Sequence, residues 1–287
     1  MAQLTDDCFA FGGRLIPLEE ALAAAQDAFP SVAQTTILPL PEALGHVASA
    51  DVIATRAVPP HNNSAVDGYA VAHADLSAET ETILQLHGYA AAGDHPEPLP
   101  AGFARRILTG AAMPEGADTV FMDEDVTTDG NAVTLPVGLR LGSNARQAGE
   151  DIASGSVIIT TGHRLNAADL GLLASVGTNE ICVKKPLKVA LFSTGNEVRE
   201  PGTALEPGQV YDANRPALMG LLMQAGAEVL DLGILPDQRE TIEAALGDAK
   251  AKGADLILSS GGVSAGDHDV VRHVLEDRGR LLFWRLE

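Results

Sequence analysis

DLILSSGGVSAGDHD, residues Asp255 to Asp269, is the stretch whose reading decides the fold. Leu256, Ile257 and Leu258 are apolar and β-prone and run into Ser260-Gly261-Gly262, which predicts a buried strand opening into a glycine-rich loop. Behind Asp269, a candidate N-cap, Val270, Val271, Val274 and Leu275 recur at the spacing of one helical face. Strand, glycine-rich loop and helix start together aim backbone N–H groups and the helix dipole at one point, an arrangement suited to an anion. A Gly-Gly pair taken alone reads more readily as a tight turn. The surrounding chain has to decide between the two.

The same alternation extends upstream. A strand is predicted at Lys188 to Phe192, followed by Ser193-Thr-Gly-Asn-Glu197. A helix from about Asn214 to Ala225 has Leu218, Leu221, Leu222 and Ala225 on one face, and a strand follows at Glu228 to Gly233. A helix at Arg239 to Lys252 leads into the strand at Asp255, and a last strand is expected at Leu281 to Trp284. Such alternation predicts a mostly parallel sheet covered by helices on both faces, with ligands at the carboxyl ends of its strands. The polar clusters at 193–197, 236–240 and 259–267 fall at those ends and should meet in one cleft.

The residue types in that cleft point to an anion and a hard cation. Ser193, Thr194 and Gly195 after one strand, and Ser260, Gly261, Gly262 and Ser264 after another, can hold a phosphate through neutral donors. Glu197, Asp237 and Asp267 would repel that phosphate unless a divalent ion lay between them, and Mg²⁺ prefers such oxygen ligands. Each carboxylate by itself reads more readily as a cap or a solvated surface group, and it is their coincidence at strand ends that points to a site. Asn214 and Arg215 start a helix, where Arg215 either forks onto a phosphate or pairs with Asp212. The eight histidines do not cluster with cysteine, so a zinc site is not expected.

The first half has another texture. The first thirteen residues read as a loose arm, and Leu15 to Phe29 as an amphipathic helix with Leu18, Leu22, Ala25 and Phe29 facing the protein. Pro39 to Gly45 reads as a short helix and Val47 to Val58 as a connecting strand. From residue 59 to 140 short strands alternate with Gly and Pro, at Thr82 to His87, Arg105 to Leu108, Thr119 to Met122 and Ala132 to Leu135, predicting a small all-β domain. A strand is predicted at Ser156 to Thr160, and a helix at Asn166 to Ser175 with Asn166 as its cap. Residues 14–58 and 141–183 are each too small to bury a core, so they are expected to form one discontinuous linker domain around the inserted β domain. Residues 184–287 make the third, αβα domain. The fold class is therefore α/β and β multidomain.

Nineteen basic and thirty-nine acidic residues give a formal charge of −20, which argues against nucleic acid or an anionic membrane as partner. No apolar run is long enough to span a membrane, and the acidic start MAQLTDDCFAFGG does not resemble a secretory signal. Cys8 and Cys182 cannot build a disulfide framework. A cytoplasmic protein is expected.

Seven stretches then carry a resemblance. They are NSAVDGYA (63–70), LTGAAMPEGAD (108–118), RQAGEDI (146–152), STGNE (193–197), GQVYDANR (208–215), DLGILPD (231–237) and SSGGVSAGD (259–267). In this order they resemble the molybdopterin molybdenumtransferase family, which includes the E domain of gephyrin and its plant counterpart. The resemblance implies an elongated homodimer in which adenylylated molybdopterin receives molybdate, with Mg²⁺, and AMP is released. It implies pterin and phosphate contacts at Ser193, Thr194, Gly195, Asn214, Arg215 and the run Ser260, Gly261, Gly262, Val263 and Ser264. Glu197, Asp237 and Asp267 would order metal and substrate. Asp67 and Thr109 would act from the other subunit, with Asp151 near the same cleft. A molybdopterin adenylyltransferase is a candidate partner. Val66 stands where the family usually has Met, and Asn196 where it often has Asp. The chain stops at Glu287, before the lysine- and proline-containing loop and further β domain that the family continues into. A non-catalytic molybdopterin-binding or carrier protein is therefore the alternative expectation.

Overall fold

The computed structural model describes residues 16–29, 31–262 and 270–279. The N-terminal arm, the end of the glycine-rich loop and the strand expected at Leu281 to Trp284 lie outside them. The chain divides into two compact units, one of Met1–Thr36 with Lys184–Glu287, the other of Ile37–Val183.

In the second unit a six-stranded sheet runs in the order Thr119–Met122, Gly68–Val71, Phe103–Ile107, Thr82–Ala90, Ala132–Leu135, Thr127–Thr128. Neighbours pair antiparallel except Thr82–Ala90 with Phe103–Ile107, which are parallel. The strand Gly68–Val71 is buried throughout, so its alternating side chains feed two cores. Tyr69 and Val71 join Leu84, Phe121, Val133 and Leu135 in one. Ala70 joins Ala90, Ile107 and Val120 in the other. Burying Phe121 alone contributes roughly 1.5–3 kcal/mol. Gly68 lets this strand approach its neighbour, because a Cβ there would lie 1.7 Å from the Phe121 carbonyl oxygen.

A third core in this unit gathers Leu40, Ala48, Ile159, Leu165, Leu173 and Ile181. Leu173 reaches it from the helix Ala167–Ser175, whose start is closed by a reciprocal cap. The Asn166 side chain accepts from the Ala168 and Asp169 amides, and the Asp169 carboxylate accepts from the Asn166 amide at 2.8 Å. The helix expected at Pro39 to Gly45 is a single 3-10 turn, Leu40–Glu42, stopped where Gly45 turns to φ +78°. The strand expected over Val47 to Val58 is broken into Val47–Ala48 and Val52–Ile53. Between them Asp51 turns out to accept from the amide and hydroxyl of Thr161, at 2.7 and 2.9 Å, which competes with strand pairing.

The first unit contains three parallel strands in the order Glu228–Leu235, Lys188–Thr194, Leu256–Ser260. Helices Arg239–Ala251 and Val270–Arg278 pack together, and Ile242, Val271 and Val274 close over Phe192 of the middle strand. Two expected apolar faces differ. In the helix Leu18–Ala28 Ala21 is buried, but Leu18 and Leu22 are 53% and 55% exposed, so the stripe that reads as core-facing lies outside in the single chain. The helix Asn214–Gln224 buries Arg215, while Leu221 stays 62% exposed. That helix is anchored by charge at its start rather than by its leucines. No helix of the described residues is long and apolar enough to cross a membrane.

Candidate functional site

Parallel register brings the glycine-containing loops of the first unit together. Ser193 pairs with Ser260 on one side of the middle strand, and Thr194 lies opposite Leu235 on the other. The loop after the third strand folds back onto the middle one. Gly261, at φ +100°, comes so close that a Cβ would stand 2.3 Å from the Thr194 carbonyl oxygen. Gly195 is equally crowded: a Cβ would meet Val198 Cγ2 at 2.7 Å and Glu197 Oε2 at 2.9 Å. These glycines are therefore what allows the loops to converge, and the carboxylate of Glu197 folds over one of them.

Asp237 follows two residues behind Leu235, and its carboxylate accepts a short hydrogen bond from the Thr194 hydroxyl. Glu197 and Asp237 are both exposed at neighbouring strand ends, while Ser193 and Thr194 are buried. Ser260, Gly261 and Gly262 are half-buried beside them. Val263, Ser264 and Asp267 lie outside the described residues. Among the described residues no three His, Cys, Asp or Glu side chains form a self-sufficient metal cage. The donor set fits a Mg²⁺ ion of the kind held by one or two carboxylates, its own waters and a substrate phosphate.

Asn214 is exposed at the helix start, and Arg215 is 7% exposed behind it. Of the two readings left open for Arg215, the structure contains the pairing one. Its Nε meets Asp212 Oδ2 at 3.0 Å, Nη1 meets Asp231 Oδ2 at 2.5 Å, and Nη2 is hydrogen-bonded to Glu200. Burial opposes the charge on Asp212, yet the hydrogen bonds from the Arg215 amide and guanidinium outweigh it and hold its pKa below the ordinary value. Asp231 and Glu200 are not among the site residues that the sequence predicts. The signal available was Asp231 at the head of DLGILPD, an acid inside an apolar strand. Between the loop Gly195–Ala204 and the strand end Ile234–Pro236 lies a cavity of about 470 Å³, with apolar surface from Val198 and Leu235 and polar surface from Asn196, Arg199, Glu200 and Thr203.

The second unit assembles a separate constellation. Asn63 and Ser64 pair with Arg146 and Ala145, Asn63 bridges Ala112, and the Ser64 carbonyl accepts from the Gly110 amide at 2.8 Å. NSAVDGYA, LTGAAMPEGAD and RQAGEDI thus meet although they are far apart in sequence. At their centre Asp67 accepts from both the amide and the hydroxyl of Thr109, each at 2.7 Å. The amide bond first, and then the hydroxyl bond, lower the pKa of this exposed carboxyl. Asp151 pairs with Arg146 at 2.7 Å, and Glu150 adds a second contact to the same guanidinium at 3.2 Å. The structure therefore joins Asp67 with Thr109, and places Asp151 on the adjoining RQAGEDI segment.

Comparison with known proteins finds a match for each part of the chain. Residues 16–177 match the family described as MoeA N-terminal region (domain I and II), and residues 190–287 match the probable molybdopterin binding domain. The molybdopterin molybdenumtransferase of Haemophilus influenzae is 39% identical over 274 residues, covering 95% of this chain and 67% of the relative. That of a Nostoc species is 36% identical, covering 85% and 57%. Among solved structures, the molybdopterin biosynthesis MoeA protein of Pyrococcus horikosii superposes with a TM-score of 0.80 at 33% identity, over 92% of this chain and 67% of that one. The chain thus spans roughly three fifths to two thirds of its relatives' length. On the family match over 16–177 and the extent of these identities, the chain belongs to the molybdopterin molybdenumtransferase (MoeA) family.

Proposed function

We propose that the protein inserts molybdenum into adenylylated molybdopterin, releasing AMP and forming molybdenum cofactor. The observation that carries this reading is the convergence of Thr194, Gly195, Gly261 and Asp237 at adjacent ends of parallel strands, where loop backbone can offer amides to a phosphate and the carboxylates of Asp237 and Glu197 stand beside it. In a chain of formal charge −20, an anionic substrate needs such local donors. Ser193, Thr194, Ser260 and the loop amides bind and orient the phosphate and pterin, with Asn214 at the neighbouring helix start. Mg²⁺, held by Glu197 and Asp237, and by Asp267 in the same reading, would supply positive charge to the phosphate oxygens. Molybdate is the second substrate.

In this reading the protein is a cytoplasmic homodimer. Asp67 and Thr109 of the partner subunit complete each site, and Asp151 stands near the same cleft. The two hydrogen bonds from Thr109 keep Asp67 ionised and fixed, as a group acting on a cation must be. A molybdopterin adenylyltransferase is the partner that would supply the adenylylated substrate.

Incubation with adenylylated molybdopterin, Mg²⁺ and molybdate tests the proposal by chromatographic measurement of AMP. Release is expected from the wild-type chain and a loss of about 100-fold or more from Glu197→Ala or Asp237→Ala. Binding of adenylylated molybdopterin without AMP release would overturn the enzyme reading in favour of a carrier.

A further inference from the structure

The cavity beside the glycine loops has two walls that are tied by one side chain. One wall is the Gly195–Ala204 loop, which carries Glu200; the other is Ile234–Pro236 at the end of the strand Glu228–Leu235, in which Asp231 stands three residues before Ile234. Arg215 reaches both, and is itself anchored to Asp212 at its own helix start. A guanidinium can do this because its five N–H groups leave a rigid plane in three directions, whereas an ammonium is a single point.

Among the described residues, the other bonds of the wall loop run within it or to the neighbouring segment 210–212. Val198 donates to the Gly195 carbonyl at 3.1 Å, Val210 to Glu197 at 3.0 Å, Asp212 to Arg199 at 2.9 Å, and the Tyr211 hydroxyl to Thr203 at 2.7 Å. They give the loop its shape without fixing it to the strand opposite. Glu200 is the accessible arm of the clamp, its side chain 50% exposed, while those of Asp212 and Arg215 are 3% and 8% exposed.

We propose that Arg215 is a positioning residue: through Glu200 it fixes the spacing of the two cavity walls, and so sets how tightly the cavity holds the planar nitrogen heterocycle of the substrate. This rests on the reading of the cavity as part of the substrate site. The apolar surface of Val198, Leu235 and Pro236 suits the face of a flat ring, and Asn196, Arg199 and Thr203 its polar edge, which the substrate offers as adenine or as pterin.

Calorimetric titrations of the full chain with AMP, and separately with neopterin, distinguish the two rings. Glu200→Gln is expected to weaken the ring that binds by about tenfold, to raise amide exchange over 198–211 and to leave exchange in Val189–Phe192 unchanged. Arg215→Lys is expected to do the same, and the double variant to lose no more than Arg215→Lys alone. Melting temperature should be unmoved by Glu200→Gln, which separates positioning from loss of fold. Should Arg215→Lys not fold, Glu200→Gln and Glu200→Asp carry the test, the latter recovering part of the affinity. An affinity unchanged in Glu200→Gln, or losses that add in the double variant, would overturn the proposal. A wild-type chain that binds neither ring overturns the substrate-site reading instead. The exchange measurement then still judges the clamp, which falls if the 198–211 amides do not respond.

Discussion

The constellation around Asp67 and the one around Thr194 are built on opposite principles. Asp67 stands at the end of a strand buried on both sides, between antiparallel neighbours, and its carboxylate is fixed by a single residue through two bonds. Thr194 ends a buried strand too, but the strands beside it are half-exposed, with Leu256 48% accessible, and the loops above it are held by side-chain charge and by glycine contacts. A sheet with two sealed faces can present one acid with little freedom. A set of loop ends can close on a larger ligand, and it owes its geometry to a few close approaches.

Gly68→Ala should break the first constellation with the largest effect. A Cβ 1.7 Å from the Phe121 carbonyl forces the strands apart, at a cost of about 3–4 kcal/mol in urea unfolding. A loss under about 1 kcal/mol would show that the Asp67 strand is not tightly seated. Gly261→Ala attacks the second. Its Cβ would stand 2.3 Å from the Thr194 carbonyl at φ +100°, and about 2–3 kcal/mol is expected, together with loss of AMP binding. Retained binding would separate the loop contact from ligand recognition.

Thr109→Val should leave the fold intact and release Asp67. The Asp67 carboxyl is lowered in the folded chain, so its contribution is present above the unfolded pKa and lost as pH falls through the folded value. Removing the hydroxyl donor is expected to raise the folded pKa towards the ordinary carboxyl value, read by carboxyl NMR titration. The amide bond, the larger cause, survives the substitution, so part of the depression should persist. An unchanged titration would mean that the hydroxyl bond does not hold the carboxylate.

Local chemistry made much of this legible in sequence. The cap at Asn166, the alternation from Lys188 to Arg278 and the strands Thr119–Met122 and Ala132–Leu135 follow from side-chain preference and periodicity, and the structure has them. Thr194 and Gly261 could be placed near one another because parallel strand ends share one edge. Partnership at long range was not legible. Nothing local in Arg215 distinguishes a phosphate ligand from a clamp, since the answer depends on Asp231 and Glu200, 16 and 15 residues away. The stripe Leu18, Leu22, Phe29 shows the same limit, because periodicity reports that a face is apolar and not what covers it.

Complementation between subunits tests the shared site most directly. Asp67→Ala and Glu197→Ala chains are each expected to release almost no AMP from adenylylated molybdopterin. Coexpressed in equal amounts, half the dimers are mixed and each of these regains one intact site, so about a quarter of wild-type AMP release is predicted. If the mixture stays as inactive as either variant alone while mixed dimers form, Asp67 and Glu197 do not meet across a subunit boundary.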